Sequence, residues 1–210
     1  MNDLDLSGVL TDVRRAYRLV VSFQRRMNEV FHAVHELLQK DGLEFKLWWP
    51  YHHNPPLKHN KPQFQPQTWA WDLFPGLCMT SEWRDDAGPV VRRVWMALET
   101  DTALADAKTR GGQPEPTSFG PVEDSRTELW FGLYTADATP LDWDVVWKEE
   151  LEARWKTAKD KPIDWTLGRI SGTYECFCVP VQELTSPDAV ARLVTGRVNR
   201  WLATSKEPSA

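Results

Sequence analysis

The stretch Trp69-Ala70-Trp71-Asp72-Leu73-Phe74-Pro75-Gly76-Leu77-Cys78-Met79-Thr80-Ser81-Glu82-Trp83 carries two alternating runs around a Pro-Gly pair. Trp69, Trp71 and Leu73 recur at every second position before the pair, and residues 77–83 alternate after it. Proline followed by glycine suits the central positions of a type II turn. The sequence therefore predicts antiparallel pairing of residues 68–74 with 77–83.

Reading toward the N-terminus, the five prolines Pro50, Pro55, Pro56, Pro62 and Pro66 mark residues 50–66 as an extended, solvent-washed loop. Leu43-Glu44-Phe45-Lys46-Leu47-Trp48-Trp49 alternates as a half-buried strand, with Leu43, Phe45, Leu47 and Trp49 on one face. Trp48 falls on the other face and is available to a partner. Before this strand runs a long helix, capped by Ser7 or Thr11 and stopped at Gly42. Its Leu10, Val13, Tyr17, Val20, Gln24, Met27, Phe31, Val34 and Leu38 recur at three- and four-residue steps. Such a seam packs along the helix's own sheet or against a second chain, with Gln24 then helping to set register.

Reading toward the C-terminus, residues 90–100, 127–135 and 170–181 read as strands, and 105–125 as a mobile loop rich in glycine and proline. From Asp142 a helix stacks Trp143, Trp147, Leu151 and Trp155 at four-residue spacing. Ser186-Pro187 opens a last helix, with serine as cap and proline at the first helical position. The expected fold is α+β. A mainly antiparallel sheet of about five to six strands carries the N-terminal helix and two helices from the C-terminal half, all on one face. Residues 1–204 are read as one domain and 205–210 as a flexible tail.

Composition narrows the function. Twelve tryptophans against 11 glycines, 8 phenylalanines and 4 tyrosines give broad aromatic surfaces for a core or a partner. A net charge of -5 disfavours general nucleic-acid binding. The absence of any apolar run of 18 residues argues against a membrane span. Three cysteines and an acidic N-terminus point to a cytoplasmic protein without a disulfide framework.

Candidate chemistry is sparse. Glu44 and Lys46 form an E-x-K on one strand face. With Asp72, Glu99 or Asp101 from a neighbouring strand, the pair could hold a divalent ion and a scissile phosphate. No aspartate precedes the motif at the spacing such nucleases use, and Glu and Lys on a wet strand face are ordinary. His52, His53 and His59 with Cys176 and Cys178 are zinc's preferred ligand types, but their spacing matches no zinc pairing. Core packing is the simpler account of the two cysteines. Nucleophile-elbow, P-loop and dinucleotide signatures are missing, so no cofactor and no metal are expected.

Charge asymmetry is more suggestive. Arg14, Arg18 and Arg25 fall near one face of the first helix in an otherwise acidic chain. The leading expectation is a non-enzymatic interaction protein of the adaptor, chaperone-like or immunity type. It would bind another protein through Arg14, Arg18, Arg25 and the exposed Trp48. Nucleic acid is the less favoured partner, and self-association would run through the first helix. The alternatives are a phosphodiester-cleaving enzyme or its degenerate relative, using the Glu44 set, and a small-molecule sensor with a tryptophan-lined pocket.

Overall fold

A computed structural model describes residues 6–50, 79–85, 90–103, 119–138 and 143–204. Asp72, Cys78, the three histidines of the proline-rich stretch, the first arm of the expected hairpin and the expected tail lie outside them.

Helix α1 (Leu6–Lys40) is a single run of 35 residues. It ends where Gly42, at φ 85, donates its N–H to the Gln39 carbonyl, while Leu43 N–H reaches back to the Leu38 carbonyl. These are the two bonds of a Schellman stop. Leu38 and Leu43 are 2% and 1% exposed and share one core, so the stop is also a hydrophobic contact.

Among the described residues six strands follow: β1 (Glu44–Pro50), β2 (Met79–Asp85), β3 (Val91–Glu99), β4 (Glu128–Ala136), β5 (Ile163–Leu167) and β6 (Ile170–Pro180). They form one sheet of order β1-β2-β3-β4-β6-β5 in which every neighbouring pair is antiparallel. The α+β reading with a mainly antiparallel sheet holds. The Pro75-Gly76 pairing needs correction, because β2 has both edges taken, by β1 and by β3. A strand has only two edges. Residues 79–83 therefore pair with β1 where pairing with 68–74 was expected.

A second correction concerns the layers. The sheet is covered on both faces, because consecutive residues of its central strands enter two different cores. Leu129, Phe131 and Leu133 of β4 join Val94, Met96 and Leu98 of β3, with Phe177 of β6, under α1. The chain's last helical segment covers the same face; it runs through α3 (Pro187–Val190), a π turn at Ala191–Thr195 and α4 (Gly196–Thr204). Trp130, Tyr134 and Ala136 of β4 instead meet Trp165, Tyr174 and Cys176. That face is closed by α2 (Trp143–Val146), which runs into a π turn at Trp147–Leu151, and then by a 3-10 turn at Trp155–Ala158. All nine residues of β4 are buried. The expected N-cap is present: the Ser186 hydroxyl accepts from Ala189 N–H at 3.2 Å, ahead of Pro187.

Candidate functional site

Helix α1 outruns the body it packs on. At about 1.5 Å per residue it is roughly 52 Å long, whereas the longest described strand, β6, at about 3.4 Å per residue, spans roughly 37 Å. Met27, Val30, Val34 and Leu38 are buried against the sheet and the last helices, and Arg26 donates to the Leu184 carbonyl at 2.8 Å. The heptad seam is therefore buried only in its C-terminal half. Every residue from Ser7 to Ser22 is exposed or half-buried, over roughly 24 Å of helix. Leu10, Tyr17 and Val21 are 46%, 66% and 65% exposed.

Leu10, Arg14, Tyr17, Val21 and Arg25 follow one another at four- and three-residue steps, so three apolar and two cationic side chains share one exposed face. Arg14 donates to Thr11 Oγ1 at 2.9 Å, and Arg15 pairs with Asp12 at 3.0 Å. Among the described residues Arg14, Arg18 and Arg25 form no ion pair.

The second candidate lies on the tryptophan face of the sheet. A cavity of about 250 Å³ opens between β3, β4 and the segment of α2 and its following turns. Its floor is made of Arg93, Ala97, Trp130 and Tyr134, each less than a tenth exposed. Trp95, Trp147 and Trp155 are half-buried walls, and Asp144 and Lys148 stand exposed at the rim with Glu99 half-buried beside them. The walls meet edge to face: Trp95 and Trp147 lie 6.1 Å apart at 85°, Trp130 and Trp155 5.0 Å apart at 78°.

Sheet register builds this arrangement. Trp95 stands opposite Gly132, where a Cβ would fall 2.0 Å from the indole nitrogen, so the ring lies directly over bare backbone. The same indole N–H donates to Tyr134 Oη at 3.0 Å, and Trp130 N–H donates to Glu128 at 3.1 Å. Burial pushes the Tyr134 phenol far above its ordinary range, against the pull of Arg93, so it stays a neutral hydrogen-bonding group. Arg93 lies 5.3 Å over the Tyr134 ring and 5.2 Å over Trp143, and its guanidinium pairs with the buried Glu82, which Arg84 also engages.

The remaining sequence candidates do not converge. Glu44 and Lys46 pair with each other at 2.7 Å on the edge strand β1. Glu44 stands level with Arg84 and Arg93 across the ladders, six residues along β3 from Glu99. At about 3.4 Å per residue that is roughly 20 Å, too far for a shared ion. Asp101 accepts from Ala103 N–H at 2.8 Å, which gives it a local backbone role. Trp48 stands opposite Ser81 in the β1–β2 ladder, and its side chain falls outside the described residues. His35 of α1 faces β2, where its Nδ1 accepts from Trp83 at 3.1 Å.

Cys176 is fully buried and donates its thiol to the Trp155 carbonyl at 3.3 Å. Burial pushes this thiol up to about 11, and raises Cys178 as well, against the pull of Lys159. The thiolate is the reactive form. In the folded protein at pH 8 the Cys176 peptide should stay unalkylated by iodoacetamide for hours, and it should label promptly in denaturant. Mass mapping of the labelled peptides checks this; rapid native labelling of Cys176 would refute the packing role.

An α+β fold with an overhanging N-terminal helix and a tryptophan-lined cavity is the class that the sheet, the helices and the sites define. The chain belongs to the PM0109 family, whose model matches residues 3–206. No curated protein and no solved structure matches the chain.

Proposed function

We propose that this protein is a non-enzymatic interaction protein that docks another protein on the free half of α1. The observation that carries this reading is the exposed row Leu10, Arg14, Tyr17, Val21 and Arg25. Tyrosine and arginine are the residue types that concentrate binding energy at interfaces. The partner's chemistry follows from the charges: an amphipathic segment with acidic flanks would meet the arginines, whereas a second copy would bring its own arginines against them. The chain's net charge of -5 favours a protein over a nucleic acid here.

A photo-crosslinking residue in place of Tyr17, used in the native cell extract, tests the proposal. The expected product joins this chain to a different, acidic protein, and its yield falls as salt rises because screening shortens the attraction to about 10 Å at 0.1 M. The triple change Arg14→Glu, Arg18→Glu and Arg25→Glu should abolish the product and leave thermal unfolding unchanged, since all three side chains are exposed. Products made only of two copies of this chain, or a triple variant that crosslinks as the parent does, would overturn it.

A further inference from the structure

A larger cavity, of about 510 Å³, lies between α1 and the β1 end of the sheet. Pockets for small organic ligands run from roughly 300 to 1,000 Å³, and the tryptophan-lined cavity falls below that range. One wall is a row of α1. Asn28, His32 and His35 follow one another at four- and three-residue steps and so share a helix face, with Phe31 beside them. The other wall comes from the strands. Phe45 of β1 stands opposite Trp83 of β2 in the ladder, and Ser81 lies two residues along β2 on the same face as Trp83. Among the described residues no Asp, Glu, Lys or Arg lines this cavity.

The sheet fixes the proton of His35. The Trp83 indole N–H can only donate, so the Nδ1 that accepts it at 3.1 Å carries no hydrogen. The proton of the neutral ring is therefore on Nε2, which is left as a donor. Phe45 meets both rings edge to face, 5.6 Å from His35 at 90° and 5.6 Å from Trp83 at 65°, and is still 37% exposed. The Asn28 amide, the His32 ring, His35 Nε2 and the Ser81 hydroxyl have no hydrogen-bond partner among the described residues. None of the four is a buried atom, so a ligand in the cavity can reach them.

Aromatic surface with open polar groups on both walls and no fixed charge suits an uncharged, flat nitrogen heterocycle. A hydrocarbon would leave the polar groups of both walls bare, and a carboxylate would find no lysine or arginine. The Asn28 amide narrows the class. It presents a donor and an acceptor side by side, which matches the amino group and neighbouring ring nitrogen of adenine. Guanine shows two acceptors on that edge, and these call for the arginine or lysine that the cavity lacks.

We infer that this cavity binds an aminopurine of the adenine type as the uncharged nucleoside. Its ring stacks on Phe45 and its amino edge pairs with Asn28. Its other polar atoms meet His35 Nε2–H and the Ser81 hydroxyl across the cavity, and His32 at the exposed side. The inference stands apart from the docking row of α1, none of whose residues lines this cavity.

The test is a calorimetric titration of the full chain with adenosine, inosine, AMP and indole. Inosine carries a carbonyl in place of the amino group and should bind about tenfold more weakly than adenosine, as the loss of a bidentate pair implies. Indole, a flat ring without acceptor nitrogens, should be weaker by at least about tenfold. AMP should bind no tighter than adenosine. Asn28→Ala changes an exposed helix position, so thermal unfolding should stay as in the parent while the preference for adenosine over inosine disappears. Phe45→Leu keeps apolar bulk and removes the stacking ring, so it should weaken both nucleosides about tenfold. Equal binding of adenosine and inosine by the parent, or a preference that survives Asn28→Ala, would overturn the assignment. AMP binding at least about tenfold tighter than adenosine would overturn it in favour of an anion site, and indole binding as tightly as adenosine in favour of a merely apolar groove. No binding of any probe up to about 10 mM would overturn it outright.

Discussion

Replacing Glu82 by Ala should cost about 3–5 kcal/mol of folding stability, read as a lower urea midpoint at unchanged slope. Glu82 is 1% exposed and lies on the tryptophan face of β2, bridging Arg84 of its own strand and Arg93 of β3. Removing it leaves the Arg93 guanidinium buried without a counter-charge, and the loss of a buried partner is far costlier than the net worth of the pair. With total stabilities of about 5–15 kcal/mol in domains of this kind, that is a large share. The charge argument separates from a packing argument by a second variant. Glu82→Leu with Arg93→Leu leaves no fully buried ion, since the Arg84 side chain still reaches solvent at 26% exposure, and should recover much of the loss. A double variant as unstable as Glu82→Ala would show that the volume of the site matters more than its charge.

The same residue marks where sequence reading ends. Alternation along β2 puts Glu82 opposite in facing to Trp83, which suggests a wet face beneath a dry one. Only the β2–β3 ladder, with Arg84 beside Arg93 and Glu82 beside Trp95, turns that face into a buried polar cluster. Local signals with their own chemistry were legible: the stop at Gly42, the Ser186 cap and the strand-period runs of β1, β3, β4 and β6. Helices were expected on one face because the Trp143, Trp147 and Trp155 spacing does not say which side of a sheet it meets. Nor does it reveal that the segment breaks into π and 3-10 turns. β5 also has a local signal in the sequence. Gly168, at φ 64, sits between the paired residues Leu167 and Ile170, the glycine-first pattern of a two-residue hairpin loop.

For the sites, the arginine row of α1 was readable from helical spacing alone, whereas its exposure was not. Exposure depends on how far the sheet extends beneath the helix, and that is a property of strand lengths and register. The cavity was foreseen only as a tryptophan-lined pocket of unspecified members. Trp95 and Trp130 come from strands separated by a long connection, and the opening beside Gly132 is set by which residue stands across from Trp95.

Phe131→Ala should be the other severe change, costing about 3–5 kcal/mol in the same urea measurement. Phe131 has no exposed surface and stacks on Phe177, its cross-strand partner on β6, at 4.9 Å and 14°. A double-mutant cycle with Phe177→Ala should return a coupling of about 0.5–1.5 kcal/mol, the worth of an aromatic pair beyond its area. The preceding residue, Trp130, points through the sheet into the other core. Phe131→Ala and Trp147→Ala should therefore add to within about 0.5 kcal/mol, as independent sites do. If they couple as strongly as the two phenylalanines, the sheet transmits strain between its faces. A change on the tryptophan side would then bias the packing of α1 on the other.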